Sequence, residues 1–295
     1  MLQVLQHNEL DKKKWDACIA SSTNGLIYSN SFYLDAISPG WMGIVQNDYS
    51  AVMPLTQKRK WGISYLAQPP FFQQGGITGE NTNNEEVVNA FLEKAKEHFR
   101  YGEITLNYFN VTTHTKSLRK NYIISLQDPV ELDKKFIEKY KKAKRSNVHY
   151  GKEDDVNMAV HLYKSLYQKH LPHFPSKAYN QFILICNHLQ QTTDVLIRSV
   201  RFEGKIVALV LLLKFKKRWY NLMSCLTTVG RPLQANYYLY KHLLDELSGA
   251  DLILDLEGSD TPGIEHFYKK MATKNEPYPF VHFNNLPFLI KLIKQ

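Results

Sequence analysis

Two carboxylates close a short apolar run near the end of the chain: Leu252, Ile253, Leu254, Asp255, Leu256 and Glu257, bounded by Gly249 and Gly258. An apolar run this short, set between glycines, reads as a strand covered on both faces. Asp255 and Glu257 have the same parity, so a regular strand points both to one side at its carboxyl end. Open α/β sheets bind ligands there, and carboxylates so placed can take a proton from a nucleophile. Equally, Asp255 can accept from the loop amides of Gly258 and Ser259 and simply shape the turn. Beyond Pro262 and Gly263, the residues Ile264, Phe267, Tyr268 and Met271 recur three and four apart, which is one face of a helix. Tyr268 carries a hydroxyl on that face, and a tyrosine there also suits a core.

The elements that must position these residues can be read in order. Lys12 to Ala20 predicts a helix with Trp15 and Ile19 on one face. Trp41 to Lys60 predicts a hairpin turning at Asn47 and Asp48 and running into Lys58, Arg59, Lys60 and Trp61, with Pro54 requiring an edge or a bulge. Gln68 to Gly79, rich in proline, glycine and aromatic residues, predicts an ordered loop. It is either a connection or the wall of a cleft, with Phe71 as its substrate contact. Thr82 and Glu85 predict a capping box for a helix through Val88, Phe91, Leu92 and Ala95 that ends at Gly102, followed by a strand through Ile104, Leu106 and Tyr108. The order then repeats. A hairpin spans Val195 to Leu213 across Glu203 and Gly204, a strand covers Tyr220 to Leu226, a helix covers Gln234 to Ser248, and the strand at Leu252 follows. The duplication predicts two lobes, residues 1–127 and 128–295.

Between the lobes, a helix over 132–147 sets Leu132, Phe136, Tyr140 and Ala143 beneath Lys134, Lys135, Lys139, Lys141, Lys142, Lys144 and Arg145. That charge is either a solvated face or a phosphate-binding one, with Lys144 and Arg145 as candidate substrate contacts. His170 and His173 have a metal-compatible spacing, but Pro172 and Pro175 break the helix that would align them, so the segment reads as a turn.

Several strings carry a resemblance to known families. Phe267 to Ala272, FYKKMA, resembles the F-Y-x-K-x-G-F helix of the GNAT acetyltransferases, in which a tyrosine protonates the departing thiolate of coenzyme A. The order DLEGS, GIEHFYKKM, PY resembles the end of the Fem-type aminoacyltransferases, with a D-F-x-G-s strand and a G-l-x-x-F-K helix. Ala272 stands where GNATs have glycine, and Tyr268 stands where the Fem-type pattern has lysine, with Lys269 beside it. The opening WDACIASSTNGLIYSNSFYLDAI and the string KRSNVHYGK are similar to Fem-type segments, the second keeping Arg145 and Val148.

The resemblance implies an α/β fold of two GNAT-like lobes, each a twisted mixed sheet flanked by helices. It implies an enzyme that moves an acyl or aminoacyl group from an activated donor, acyl-CoA or aminoacyl-tRNA, to an amine held between the lobes. Tyr268 would be the acid, Asp255 or Glu257 would orient or deprotonate the amine, Lys269 would contact substrate, and Arg231, Gln234 and Asn236 would lie near the donor. GNATs hold the coenzyme A pyrophosphate on a Q/R-x-x-G-x-G/A loop at a helix N-terminus. Here Gly230 to Asn236 lacks the second glycine. The alternative is a non-catalytic GNAT-fold protein whose basic helix and aromatic loop hold RNA or an acidic polymer.

Composition bounds these readings. The 295 residues, 44% hydrophobic and 13% aromatic, can bury a core and fill two domains. The first fifteen or so residues lack an apolar segment behind their charges, and Ile206 to Leu213 is too short to span a bilayer, so a cytoplasmic protein without a membrane span is expected. Cys18, Cys186 and Cys225 are far apart and odd in number, which predicts reduced, buried thiols and no metal. The net charge of +9 favours a polyanionic partner such as a nucleotide cofactor, tRNA or an acidic lipid surface.

Overall fold

The computed structural model describes residues 1–60, 62–171, 174–258 and 262–287. Trp61, Ser259 and the metal-or-turn reading of His173 lie outside those residues. The chain forms two compact units: unit 1 is Met1–Lys120 with Pro277–Gln295, and unit 2 is Asn121–Glu276.

In chain order, unit 1 supplies β1 (Leu2–Leu5), α1 (Lys12–Ser21), α2 (Ser31–Ile37), β2 (Met42–Gln46), β3 (Ala51–Leu55), β4 (Gln57–Lys60), β5 (Ile63–Ala67), β6 (Thr78–Gly79), α3 (Glu85–His98), β7 (Tyr101–Thr105) and β8 (Thr115–Arg119). Unit 2 follows with β9 (Tyr122–Ser125), α4 (Lys134–Lys144), β10 (His149–Glu153), α5 (Val156–Tyr167), α6 (Ser176–Gln190), β11 (Val195–Phe202), β12 (Lys205–Phe215), β13 (Arg218–Leu226), α7 (Ala235–Leu247), β14 (Ile253–Asp255), α8 (Pro262–Tyr268) and β15 (Lys274–Asn275). The last strand, β16 (Tyr278–Asn284), belongs to unit 1 again.

Unit 1 holds two sheets, β1-β2-β3-β6 and β4-β5-β7-β16-β8, and unit 2 holds one, β10-β11-β12-β13-β14-β9-β15. The expected repeat is present. In each unit one parallel pair is joined through a helix, β5–α3–β7 in unit 1 and β13–α7–β14 in unit 2. The unit boundary differs from the expected one. β9 precedes residue 127 yet pairs with β14 and β15 of unit 2, and β16 pairs with β7 and β8 of unit 1. Strand pairing is non-local, so a boundary drawn from local pattern cannot register this exchange.

Local signals otherwise carry through. Glu203 and Gly204 both take positive φ, 49° and 75°, as a tight two-residue hairpin turn requires. Pro54 lies in β3 beyond the two residues, Ala51 and Val52, that pair with β6, so its missing N–H breaks no ladder on that side. The cap of α3 is Asn84, which accepts from the amides of Glu86 and Val87 at 2.8 and 3.3 Å. Thr82, the expected cap, is buried and bonded to the Asn24 side chain at 3.0 Å and to the Gly79 carbonyl at 3.2 Å. The helix ends at Phe99, and Gly102 lies inside β7. The three cysteines are buried free thiols. Among the described residues no helix is long and apolar enough to cross a membrane.

One buried ion cluster ties unit 2 together. Arg218, at the start of β13, donates to Asp255 at 2.8 Å and to Glu276 at 2.9 Å, and all three side chains are at most 9% exposed. Asn121 donates to Asp255 at 3.3 Å through its side chain and accepts from the Glu276 amide at 2.7 Å. Burial pushes the Glu276 carboxyl above its ordinary range, against the pull of Arg218. Removing the cation strands two buried carboxylates, which typically costs about 3 to 5 kcal/mol. Arg218→Met should therefore lower stability in denaturant titration by about that much, and adding Asp255→Asn with Glu276→Gln should recover part of it. A loss below about 1 kcal/mol would show that the cluster is dispensable.

A second pair predicts acid behaviour. Arg198 hydrogen-bonds Glu246 with Nε at 3.1 and 2.8 Å, and this, with a bond from Tyr150, holds the Glu246 carboxyl below its ordinary 4.5. A depressed folded pKa gives stability that is fully present above the unfolded value and is lost as pH falls through the folded one. The melting temperature of the wild type should drop below about pH 4.5 more steeply than that of Glu246→Gln, whose site cannot titrate.

Candidate active site

The pairing of β13 fixes where a cavity can form. β13 runs against β12 along its whole length but meets β14 only at Arg218, Trp219 and Tyr220, where Tyr220 stands beside Asp255. There β14 ends. Glu257, two residues on, takes φ 67°, so the strand geometry that would align it with Asp255 does not continue. In β13 the register against β12 shifts at the same level. Leu211 faces Met223 and Leu212 faces Asn221, which leaves Leu222 as an extra, bulged residue. A bulge bends the strand and re-aims the side chains that flank it.

Beyond this point lies a cavity of about 480 Å³ within unit 2. β13 lines it with Ser224, Cys225 and Leu226; the loop and α7 add Arg231, Asn236 and Tyr240; α8 adds Gly263, Ile264, Phe267 and Tyr268; and Tyr167 comes from the end of α5. Among the described residues no carboxylate lines it. Asn221 donates to the Tyr240 hydroxyl at 2.6 Å and to the Tyr268 hydroxyl at 3.3 Å, and Tyr240 donates to Ser224 at 3.2 Å. Burial, then the neighbouring Tyr240 and the charge of Glu257, hold the Tyr268 phenol well above its ordinary value. Tyr268 is therefore a neutral hydrogen-bond donor that yields its proton only to a strong base. Cys225 lies in the wall with its thiol pushed up to about 12 by burial, too high for a thiolate nucleophile at neutral pH.

The residues expected from sequence separate into three groups. Tyr268, Arg231 and Asn236 come together at the cavity, with Gln234 beside them at the start of α7. Glu257 is close enough for its charge to act on Tyr268, whereas Asp255 is fully buried in the Arg218 cluster and caps the amide of Glu257 at 2.9 Å. Of the two amides first considered, that of Ser259 lies outside the described residues. Lys269 is exposed and paired with Glu265 at 2.8 Å, and Lys144 and Arg145 are exposed at the end of α4. Phe71 belongs to unit 1, where it is buried at φ 58° and its carbonyl accepts from the Tyr33 hydroxyl. Sequence reasoning missed Asn221, Ser224 and Tyr240. The available signal was the polar pair Asn221 and Ser224 in an otherwise apolar strand.

Four amides of the loop before α7 bond within the loop. Gly230 donates to Thr227 Oγ1 at 3.0 Å, Arg231 to the Thr227 carbonyl at 3.1 Å, Gln234 to the Arg231 carbonyl at 3.1 Å and Ala235 to the Gly230 carbonyl at 3.0 Å. Gln234 enters the helix at φ 58° without capping it, its side chain donating back to the Arg231 carbonyl at 3.1 Å. Gly230 is needed for packing, since a Cβ there would come within 2.3 Å of the Val207 carbonyl oxygen. The amides of Gly230, Arg231, Gln234 and Ala235 are thus already engaged where a pyrophosphate would need them.

In unit 1 the place beyond the parallel pair of β5 and β7 is filled. The Gln68 amide donates to the carbonyls of Phe72 and Gln73, Thr105 Oγ1 lies 2.6 Å from the Gln73 carbonyl, and the space left is about 10 Å³. A larger hollow of about 590 Å³ in unit 1, between β1 and α3, is an open trough whose Lys94 is paired with Glu97 at 2.7 Å.

Gly230→Ala should cost about 1 to 3 kcal/mol by overpacking against β12. Thermal melting checks this, and an unchanged midpoint would mean that the loop can shift freely.

No protein-family model matches the sequence, and neither does any curated protein. Solved structures do match. FemX aligns with a TM-score of 0.65 at 13% identity, covering 99% of this chain and 100% of that one. The C-terminal domain of a putative lysylphosphatidylglycerol synthetase from Agrobacterium fabrum aligns with 0.58 at 11%, covering 96% and 94%. A tandem GNAT protein from the clavulanic acid biosynthesis pathway aligns with 0.50 at 8%, covering 97% and 99%. These alignments show that the chain shares its two-unit α/β fold with FemX and with a tandem GNAT protein.

Proposed function

We propose that this chain transfers an aminoacyl or acyl group from an oxygen ester to an amine, with unit 2 as the catalytic unit. The observation that carries the reading is the Tyr268 hydroxyl on the wall of the cavity that opens where β13 and β14 part.

In the reaction an amine nitrogen attacks the ester carbonyl carbon, a C–N bond forms and the C–O bond breaks. Tyr268 gives its phenolic proton to the leaving oxygen, and Glu257 takes the surplus amine proton directly or through a water. Glu257 then releases its proton to solvent and the phenol is reprotonated from solvent, so protons balance over the turnover. Asn221 donates to the Tyr268 oxygen, and Tyr268 also hydrogen-bonds Tyr240, so its O–H must turn from Tyr240 to reach a leaving group.

Two observations favour an ester on the 3′ end of an RNA, as in aminoacyl-tRNA, over a coenzyme A thioester. Four amides of the loop, those of Gly230, Arg231, Gln234 and Ala235, are occupied by the loop itself. A phenol whose proton is held this tightly is matched to an alkoxide leaving group and poorly matched to a thiolate, which leaves unprotonated. The solved relatives include FemX and a putative lysylphosphatidylglycerol synthetase, names consistent with aminoacyl transfer.

The test is transfer of labelled amino acid from aminoacyl-tRNA to a panel of amines. Tyr268→Phe should lower kcat about 100-fold or more while leaving the melting temperature and KM near those of the wild type. Acetyl-coenzyme A should give no melting shift, whereas a donor at about 100 times its Kd would stabilise by about 2.7 kcal/mol. Full activity in Tyr268→Phe, or a saturable shift with acetyl-coenzyme A and none with polyphosphate, would sink this reading.

A further inference from the structure

The proposed chemistry makes no use of the most strongly charged surface of unit 2. On α4 the residues Phe136 and Ala143 are fully buried and Tyr140 is half-buried, which turns Lys134, Lys135, Lys139, Lys141, Lys142, Lys144 and Arg145 to solvent. Among the described residues none of these seven cations has an ion-pair partner, and Glu138 is the one acid within the helix. Unpaired charge of one sign at this density attracts a polyanion.

The structure adds something that the sequence pattern did not show. Beside α4 lies a strip of half-buried rings drawn from three elements: Tyr140 of α4, Tyr238 and His242 of α7, and Tyr150 of the edge strand β10. Tyr140 and Tyr238 stack at 5.8 Å and 25°, and Tyr150 and His242 at 5.3 Å and 25°; Tyr238 and His242 are 4.4 Å apart. Burial, with Lys241 and Lys144 nearby, lowers the pKa of His242 despite Asp245, so its ring is neutral at physiological pH. The acids next to the strip are engaged, Asp245 by Lys241 at 2.5 Å and Glu246 by Arg198 and by the Tyr150 hydroxyl at 2.6 Å.

Half-exposed rings flanked by unpaired cations are what a protein uses to hold single-stranded nucleic acid, because bases stack on the rings while phosphates meet the cations. Lipid headgroups or a polyphosphate would use the cations and leave the rings idle. We infer that the face made by α4, the outer side of α7 and β10 is a docking surface for single-stranded RNA. The face also backs the cavity, because Phe136 of α4 stacks at 6.1 Å on Phe267, which lines the cavity. The inference rests on the transfer reading only for the reason that RNA is present, and binding can be measured without turnover.

The probe is a 5′-fluorescein-labelled oligouridine of about 12 nucleotides, followed by anisotropy across a salt series. Wild-type affinity should fall steeply with salt. The triple variant Lys139→Gln, Lys142→Gln, Arg145→Gln should reduce the log–log salt slope by about 2, close to 0.7 per lost phosphate contact. Tyr238→Leu should weaken binding roughly tenfold with an unchanged slope, as loss of one stacked base predicts. Both variants should melt near the wild-type temperature. Absence of RNA binding by the wild type would overturn the inference, and so would variants that bind as it does. Binding to vesicles containing anionic phospholipid, with no effect of Tyr238→Leu on RNA, would overturn it in favour of a membrane surface. If transfer proves absent while RNA binding depends on α4, the docking surface stands and the proposed activity falls.

Discussion

The guanidinium of Arg218 between Asp255 and Glu276 is the constraint on which unit 2 depends. It joins the first residues of β13 to the last of β14 and to the point where the chain leaves the unit. Through Asp255 it also reaches Asn121, where the chain enters. Two buried carboxylates around one cation would be costly without the fork geometry and the added amide bonds, because charge in a low-dielectric interior must be fully paired. The cluster has a mechanical result as well. It fastens β13 and β14 together at one end only, and beyond Tyr220 the bulge at Leu222 and the turn at Glu257 let them diverge. The cavity is the space produced by that divergence.

The two units show how little of function resides in topology. Both place a helix between two parallel strands and both have a gap beyond the pair. In unit 1 the gap is taken by Gln68, Thr105 and the loop carbonyls of Phe72 and Gln73, so the polar groups satisfy one another. In unit 2 the corresponding region keeps a hydroxyl-lined hollow. The same backbone plan thus yields a closed support and an open site, as expected when function is carried by side chains fitted onto a shared fold.

What the sequence made legible follows from the range of each signal. The turn at Glu203 and Gly204 is set by neighbours a few residues apart and appears where expected, whereas the helix of Phe267 and Tyr268 ends at Tyr268, leaving Met271 in the turn beyond it and Ile264 exposed. The two-unit plan was legible through its repeat. Asp255 was recognised as unusual, but its partner Arg218 is 37 residues away and nothing local names it. Asn221 was not recognised at all, because its importance comes from a one-residue bulge that depends on pairing with β12. Phe71 looked like part of a cleft wall since loops of its composition often are one, yet its side chain turns inward.

The exchange of β9 and β16 bears on the order in which the molecule can be built. A ribosome delivers unit 1 first, at about 5 to 20 residues per second, and N-terminal domains usually fold as they emerge. Here β16, which lies between β7 and β8, is made after all of unit 2, so the second sheet of unit 1 stays incomplete through the synthesis of unit 2. Unit 2 has its seven strands once β15 has left the tunnel, a few residues before β16 follows. The half of the chain that is made first therefore closes last, and until then the edges of β7 and β8 are open to mispairing.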